Sequence, residues 1–204
     1  MSKETPQQIW ENLIAGNRRY AADESNYPNS DIAHRVQLLS GQSPKMVIFG
    51  CGDARVPSEF VFDLGLGDAF IVRNAGHVID ATVLASIQFA IDDLGCNLLV
   101  VMGHQNCGAV KAALGFLEKD STIPTGLQRT IVEKVSMAAV AARAEGLERQ
   151  SDVERRNIED TVDQFMERIP HLLEKIEDGS LGIAGIYYSL DSGLVDPVIL
   201  HGVS

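Results

Sequence analysis

The chain has few cysteines, few aromatics and no clustered basic charge. Three cysteines in 204 residues are an odd, sparse set, too few for a disulfide framework and suited to a reducing compartment. No apolar run approaches the roughly 20 residues of a membrane span. The N-terminal MSKETPQQIW lacks the apolar stretch of a signal peptide. These absences predict a cytoplasmic protein that does not engage a membrane. Lys and Arg number 17 against 28 Asp and Glu, a formal net charge of -11, which repels a phosphate backbone and excludes nucleic acid as a partner. No repeat, low-complexity tract or interdomain linker is evident. With 45% hydrophobic and 22% charged residues, the composition is that of an ordinary folded chain. One domain is expected over residues 1–204, with a helical arm at 1–44 and an α/β core at 45–204.

What the sequence does have is an alternation of strand and helix patterns. Thr5 as a cap and Pro6 at a first turn open a helix whose apolar side carries Trp10, Leu13, Ile14 and Tyr20. This helix is expected to precede the core rather than belong to it. A loop near residues 26–30 and a short helix from Asp31 to Ser40, closed by Gly41, complete the arm. Strands are expected at Met46–Gly50, at AFIVR ending near Arg73, and at Leu98–Met102. Leu84, Ile87, Ile91 and Leu94 mark an amphipathic helix before the third strand. Helices follow at Gly108–Leu117, within Pro124–Arg149, and along Ile158 to Ile176, where Pro170 forces a kink or restart. LGIAGIYYSL and LVDPVIL read as a fourth strand returning to an antiparallel edge strand. The fold class is α/β: a mostly parallel sheet of four strands in the order 2-1-3-4, an antiparallel edge strand, and helices on both faces.

Two of these strands end in metal-ligand residue types. MVIFGCGDARV delivers Cys51, Asp53 and Arg55 after the first strand, and LLVVMGHQNCGAV delivers His104 and Cys107 after the third. Two thiolates and an imidazole make three ligands, and three protein ligands with one open position are the pattern of a catalytic zinc site. Sharing one ion requires strands 1 and 3 to be neighbours, with the site at their carboxyl ends where the strand order reverses. Taken singly, each of these residues has an ordinary structural reading as a packed Cys, a satisfied His or a salt bridge. Their joint position carries the inference.

Cys51-x-Asp53-x-Arg55 followed by His104-x-x-Cys107, with the flanking GHQNCGAV and VRNAGHV, resembles a β-class carbonic anhydrase of the plant-like branch over about residues 5 to 190. The resemblance implies reversible hydration of carbon dioxide to bicarbonate and a proton by a metal-bound hydroxide. It implies zinc on Cys51, His104 and Cys107, and a catalytic dyad of Asp53 and Arg55. Substrate contacts implied by the same resemblance fall on Gln42, Phe70, Phe89 and Gly108, with Gln42 acting across a dimer interface. Homodimers or homotetramers that exchange N-terminal helices are implied as well. Two positions depart from relatives. Phe89 stands where many have tyrosine, and Ile48 stands where the bicarbonate-inhibited branch has tryptophan.

Other readings are weaker. GCGDAR imitates a dinucleotide fingerprint, but Arg55 occupies the third glycine position. The Cys51-to-Arg55 spacing is too short for a thiol phosphatase loop. Carbon disulfide or carbonyl sulfide hydrolysis on the same zinc site remains open. So does a noncatalytic zinc or thiol regulatory module, which would have no use for Asp53 and Arg55. Cys96 reads as a small buried hydrophobe. His34, His77, His171 and His201 read as structural, with His77 the one in a loop near the site.

Overall fold

The computed structural model describes residues 4–118, 122 and 124–204, so the first three residues of the expected arm lie outside it. The chain opens with α1, Pro6–Ala21, where the Thr5 hydroxyl accepts from the Gln8 amide and the Gln8 side chain returns a bond to the Thr5 amide. That reciprocal cap satisfies two amides a bare helix end would leave unpaired. Next come α2, Ile32–Gln37, capped by Asp31, and a 3-10 turn at Leu38–Ser40 that ends at Gly41. The core then runs β1 Met46–Cys51, α3 Ser58–Val61, β2 Ala69–Asn74, α4 Ala81–Asp92, β3 Leu98–His104 and α5 Gly108–Leu117. It finishes with α6 Gln128–Ala144, α7 Gln150–Arg168, α8 His171–Glu177, β4 Gly182–Tyr188 and β5 Val195–His201. Pro170, at the head of α8, makes the restart expected of it.

The sheet order is β2-β1-β3-β4-β5, with the first four strands parallel and β5 antiparallel to β4. Every residue of β1, β3 and β4 is buried, because helices cover both faces. Alternate side chains feed two cores. Ile48, Val100 and Ala184 meet Val110, Ala113 and Val135 of α5 and α6 on one face. Val47, Phe49, Leu99 and Val101 meet Ile87, Ile158 and Phe165 of α4 and α7 on the other. Pro197 lies in β5, at the sheet edge, where its missing amide costs the ladder least. No helix among the described residues is long and apolar enough to cross a membrane.

One expectation needs correcting. The N-terminal helix does not stand apart from the core: Ile9, Trp10 and Leu13 are at most 4% exposed and join the first core cluster. Asn17 locks it down, donating to the carbonyls of Val61 and Gly193 and accepting from the Val195 amide. Burying an apolar side chain such as Ile9 or Leu13 is worth about 1.5–3 kcal/mol. The helix is therefore seated on its own chain by side chains the sequence pattern had marked as its apolar side.

Candidate metal centre

Parallel register brings the ends of β1 and β3 level, since Gly50 pairs with Met102. Cys51 closes β1, His104 closes β3, and Cys107 sits at the head of α5. Their ligand atoms lie within 4.8 Å of one another, and all three residues are buried. Zinc–sulfur and zinc–nitrogen bonds of about 2.3 and 2.0–2.1 Å place tetrahedral ligand atoms about 3.5–3.8 Å apart, so a small contraction suffices.

The donor set itself tests the fit. His104 Nδ1 lies 2.9 Å from the Gln105 carbonyl, an acceptor only, so Nδ1 carries the proton. Nε2 is then a buried lone pair, with no hydrogen-bond partner among the described residues. That is the form in which histidine ligates zinc. The hydrogen bond from Cys107 draws the Cys51 thiol down to about 3, against the opposing effect of burial, and the Gly76 amide adds a bond to the sulfur at 3.3 Å. Cys107 is pushed up by that same shared proton and by burial. Burial opposes a charged His104, but the Cys51 thiolate and the Gln105 carbonyl raise it overall. Three buried groups compete for protons at one point, and a divalent cation would replace those protons.

Asp53 and Arg55 stand beside this group in the loop after β1. Arg55 donates through its amide and Nε to Oδ1 at 2.9 and 3.0 Å, and through Nη2 to Oδ2 at 2.7 Å. These bonds hold the Asp53 carboxyl well below the usual carboxylate range. Arg55 Nη2 also reaches the Asn106 carbonyl at 3.2 Å, tying the dyad to the turn before Cys107. Gly108 follows Cys107 at the start of α5, and a Cβ added there would meet nothing within 4 Å, so the backbone is open on that side.

The remaining candidates are elsewhere. Gln42 is exposed and lines a hollow with Lys45, Gly67 and Asp68, before the start of β1. A strand advances about 3.3 Å per residue, so Met46 and Cys51 alone are separated by roughly 16 Å. Phe70 pairs in register with Val47, near the start of β1, and its ring lies 6.2 Å from that of Phe89. These three share the far half of the β2 edge and do not meet this chain's own metal-ligand group. His77 is 2% exposed, and its Nε2 lies 2.8 Å from Asn157 Nδ2.

Sequence reasoning missed two supports. Arg73, at the end of β2, donates to the Cys51 carbonyl at 2.9 Å and the Asp53 carbonyl at 2.7 Å, clamping both residues' backbone. Glu154 of α7, 2% exposed, accepts from the Cys107 amide, Gln150 and the Tyr187 hydroxyl at 2.9, 2.8 and 2.9 Å. Burial and that bond push the Tyr187 hydroxyl up. A signal for Glu154 existed: it shares the buried face of its helix with Val153, Ile158, Val162 and Phe165, where a carboxylate needs partners.

Comparison with known proteins points one way. A family profile described as "Carbonic anhydrase" matches residues 46–195. The chain is 45% identical over 193 residues to carbonic anhydrase 2 of Mycobacterium tuberculosis, covering 95% of this chain and 93% of that protein. It is 41% identical over 196 residues to the carbonic anhydrase of Mycolicibacterium smegmatis, covering 96% and 95%. Among solved structures, the Coccomyxa β-carbonic anhydrase in complex with acetazolamide superposes with a TM-score of 0.69 at 26% identity, covering 91% of this chain and 84% of that one. A tetrameric β-carbonic anhydrase of Sordaria macrospora matches in fold with a TM-score of 0.71 at 22% identity, covering 92% and 95%.

Proposed function

We infer what this chain does from the family to which it belongs, the β class of the carbonic anhydrases. It is a carbonate dehydratase, a lyase. We propose that Cys51, His104 and Cys107 hold a zinc ion at which carbon dioxide and water become bicarbonate and a proton. The observation that carries the proposal is the convergence of two buried thiols and the unpartnered His104 Nε2 within 4.8 Å, next to an ionised Asp53.

Zinc, when bound, supplies Lewis-acid activation of water for attack on the carbon of carbon dioxide. Asp53 accepts a hydrogen bond from the attacking oxygen and so orients it. Arg55 occupies both carboxylate oxygens of Asp53 and keeps that carboxylate from turning onto the metal as a further ligand. Arg73 fixes the loop carrying both Cys51 and Asp53, and Glu154 fixes the Cys107 amide. Gln42, Phe70 and Phe89 serve the site of a second copy of the chain, in a homodimer or homotetramer whose substrate pocket spans two subunits. Their position at the opposite end of β1 supports that assignment, because one chain cannot bring them to its own site.

Two thiolates offset the charge of the ion more than neutral imidazoles do, which weakens its acidifying effect on water. Hydration is therefore expected to rise from pH 6.5 to 9. Stopped-flow carbon dioxide hydration on metal-quantified protein across that range tests the function. Fast turnover that follows zinc content and drops on the order of 10²-fold or more in Asp53→Ala is expected. Background hydration at full zinc loading would overturn the assignment and leave sulfur analogues of carbon dioxide to be tried.

A further inference from the structure

Cys51 takes a hydrogen bond from beyond the end of the neighbouring strand: the Gly76 amide, just past β2, donates to its sulfur at 3.3 Å. The turn that carries this amide, residues 75–77, holds two successive left-handed residues, Gly76 at φ 71° and His77 at φ 42°. Glycine takes that conformation freely, but in histidine the β-carbon crowds the backbone. Such a residue persists where its surroundings over-determine it.

Neighbours on three sides do so here. Asn74 closes the turn at its ends, donating to the Val78 carbonyl and accepting from the Val78 amide, both at 2.8 Å. Residues of α5 and α6 press on Gly76, where a Cβ would fall 2.7 Å from Ala109 Cβ and 3.3 Å from Val135 Cγ2. From α7, Asn157 holds the middle. Its Nδ2 donates to the Gly76 carbonyl at 3.3 Å and lies 2.8 Å from His77 Nε2, and its backbone offers the same ring an acceptor.

Asn157 is 7% exposed, on a helix that also sends Ile158, Val162 and Phe165 into the core. A polar side chain buried there needs partners, and those it has are the two left-handed residues rather than Cys51, His104 or Cys107. A hydrogen bond to a thiolate draws electron density from the sulfur, so a metal held by that sulfur keeps more of its own positive charge.

We propose that Asn157 is a positioning residue of the metal centre: by holding Gly76 and His77 left-handed, it keeps the Gly76 N–H on the Cys51 sulfur and limits the charge this thiolate gives to the metal. The inference rests on Cys51 being a metal ligand. It adds a residue that acts on the centre from α7, through a turn, without touching a ligand itself. A merely structural asparagine would stabilise the packing of α7 and leave the Cys51 sulfur unaffected by its loss.

The test replaces zinc by cadmium-113, whose nuclear spin couples through a metal–sulfur bond and onward across an N–H···S hydrogen bond. Coupling to the Cys51 β-protons reports ligation, and coupling to the Gly76 amide proton reports the hydrogen bond. Both are expected in the wild-type protein. Asn157→Leu, which keeps the volume but not the donor, should retain the first and lose the second, and Asn157→Ala should do the same. Val162→Ala, a packing change on α7 facing Gly185 of β4, should retain both. In the zinc-loaded protein, Asn157→Leu should release zinc to a chelator on the order of 10-fold faster than the wild type or Val162→Ala. An unchanged Gly76 coupling in both Asn157 variants, equal zinc release from Asn157→Leu and Val162→Ala, or no Gly76 coupling in the wild type beside an intact Cys51 coupling would overturn the proposal and leave the zinc site standing. No coupling to Cys51 in the wild type would overturn both.

Discussion

Asp53 and Arg55 are separated by one residue, and that spacing decides what the pair does. The guanidinium closes back on the carboxylate through both Nε and Nη2, and the backbone amide of Arg55 adds a third bond. The carboxylate is thereby ionised across the working pH range and aimed by its neighbour. Arg55→Ala should lower hydration on the order of 10²-fold, with zinc retained, because the loss is one of orientation rather than of a ligand. Stopped-flow rates beside zinc analysis would check this, and an unimpaired rate would contradict the role of the dyad. Glu154 is the second residue on which the site depends. Glu154→Ala would leave the Cys107 amide, Gln150 and the Tyr187 hydroxyl without their acceptor. At about 1–3 kcal/mol for a lost buried partner, partly relieved by water, a destabilisation of about 2–4 kcal/mol is expected in urea unfolding of zinc-loaded protein. A change within about 0.5 kcal/mol would show that Glu154 is not needed to hold that corner.

At the scale of elements, α1 offers a prediction that runs against helix propensity. A Cβ on Gly16 would fall 2.1 Å from the Phe62 carbonyl oxygen. Gly16→Ala improves the isolated helix by about 1 kcal/mol, yet it should destabilise the protein by about 1–3 kcal/mol, because the docked backbone has no room. Thermal melting would reveal the sign directly. The turn after β2 gives a second prediction. His77 is held near 4 by burial, against 6.5 for the free side chain. Below pH 6.5 the unfolded chain takes up a proton that the folded chain refuses, so stability present above that pH falls as the pH drops toward 4. The slope is at most about 1.4 kcal/mol per pH unit. Urea midpoints between pH 6.5 and 5 should fall more steeply in the wild type than in His77→Gln; parallel curves would count against a buried neutral ring.

The elements also show what a sequence can reveal. β1 and β3 were legible because strands buried on both faces are continuous apolar runs, and their ends carried Cys51, His104 and Cys107 into view together. The seat of α1 was not legible. Its periodicity marks Trp10 and Leu13 as inward, but it cannot say which surface receives them. The small-residue clue, Gly16, acquires meaning only against the Phe62 carbonyl. Arg73 was equally silent, because its partners are two backbone carbonyls, which leave no residue pattern.

For the whole molecule, the division of the candidate residues between the two ends of β1 matters most. If the second group serves a neighbouring subunit, two inactive variants should repair each other. In a mixed oligomer of Gln42→Ala and Asp53→Ala chains, a site on the Gln42→Ala chain keeps its own Asp53 and receives an intact Gln42 from the other chain. Co-refolded mixtures should regain a substantial part of wild-type hydration, whereas either variant alone stays low. Rates that only average the two parents would place Gln42 outside the reaction or within its own subunit's site.

The central claim is that Cys51, His104 and Cys107 hold zinc with a position left open for chemistry. X-ray absorption at the zinc edge of the purified protein tests it most directly. Two sulfur ligands at about 2.3 Å, one imidazole nitrogen at about 2.0–2.1 Å and one further light-atom ligand are predicted. Fewer than two sulfurs, or a shell closed by four sulfur and imidazole ligands, would contradict it.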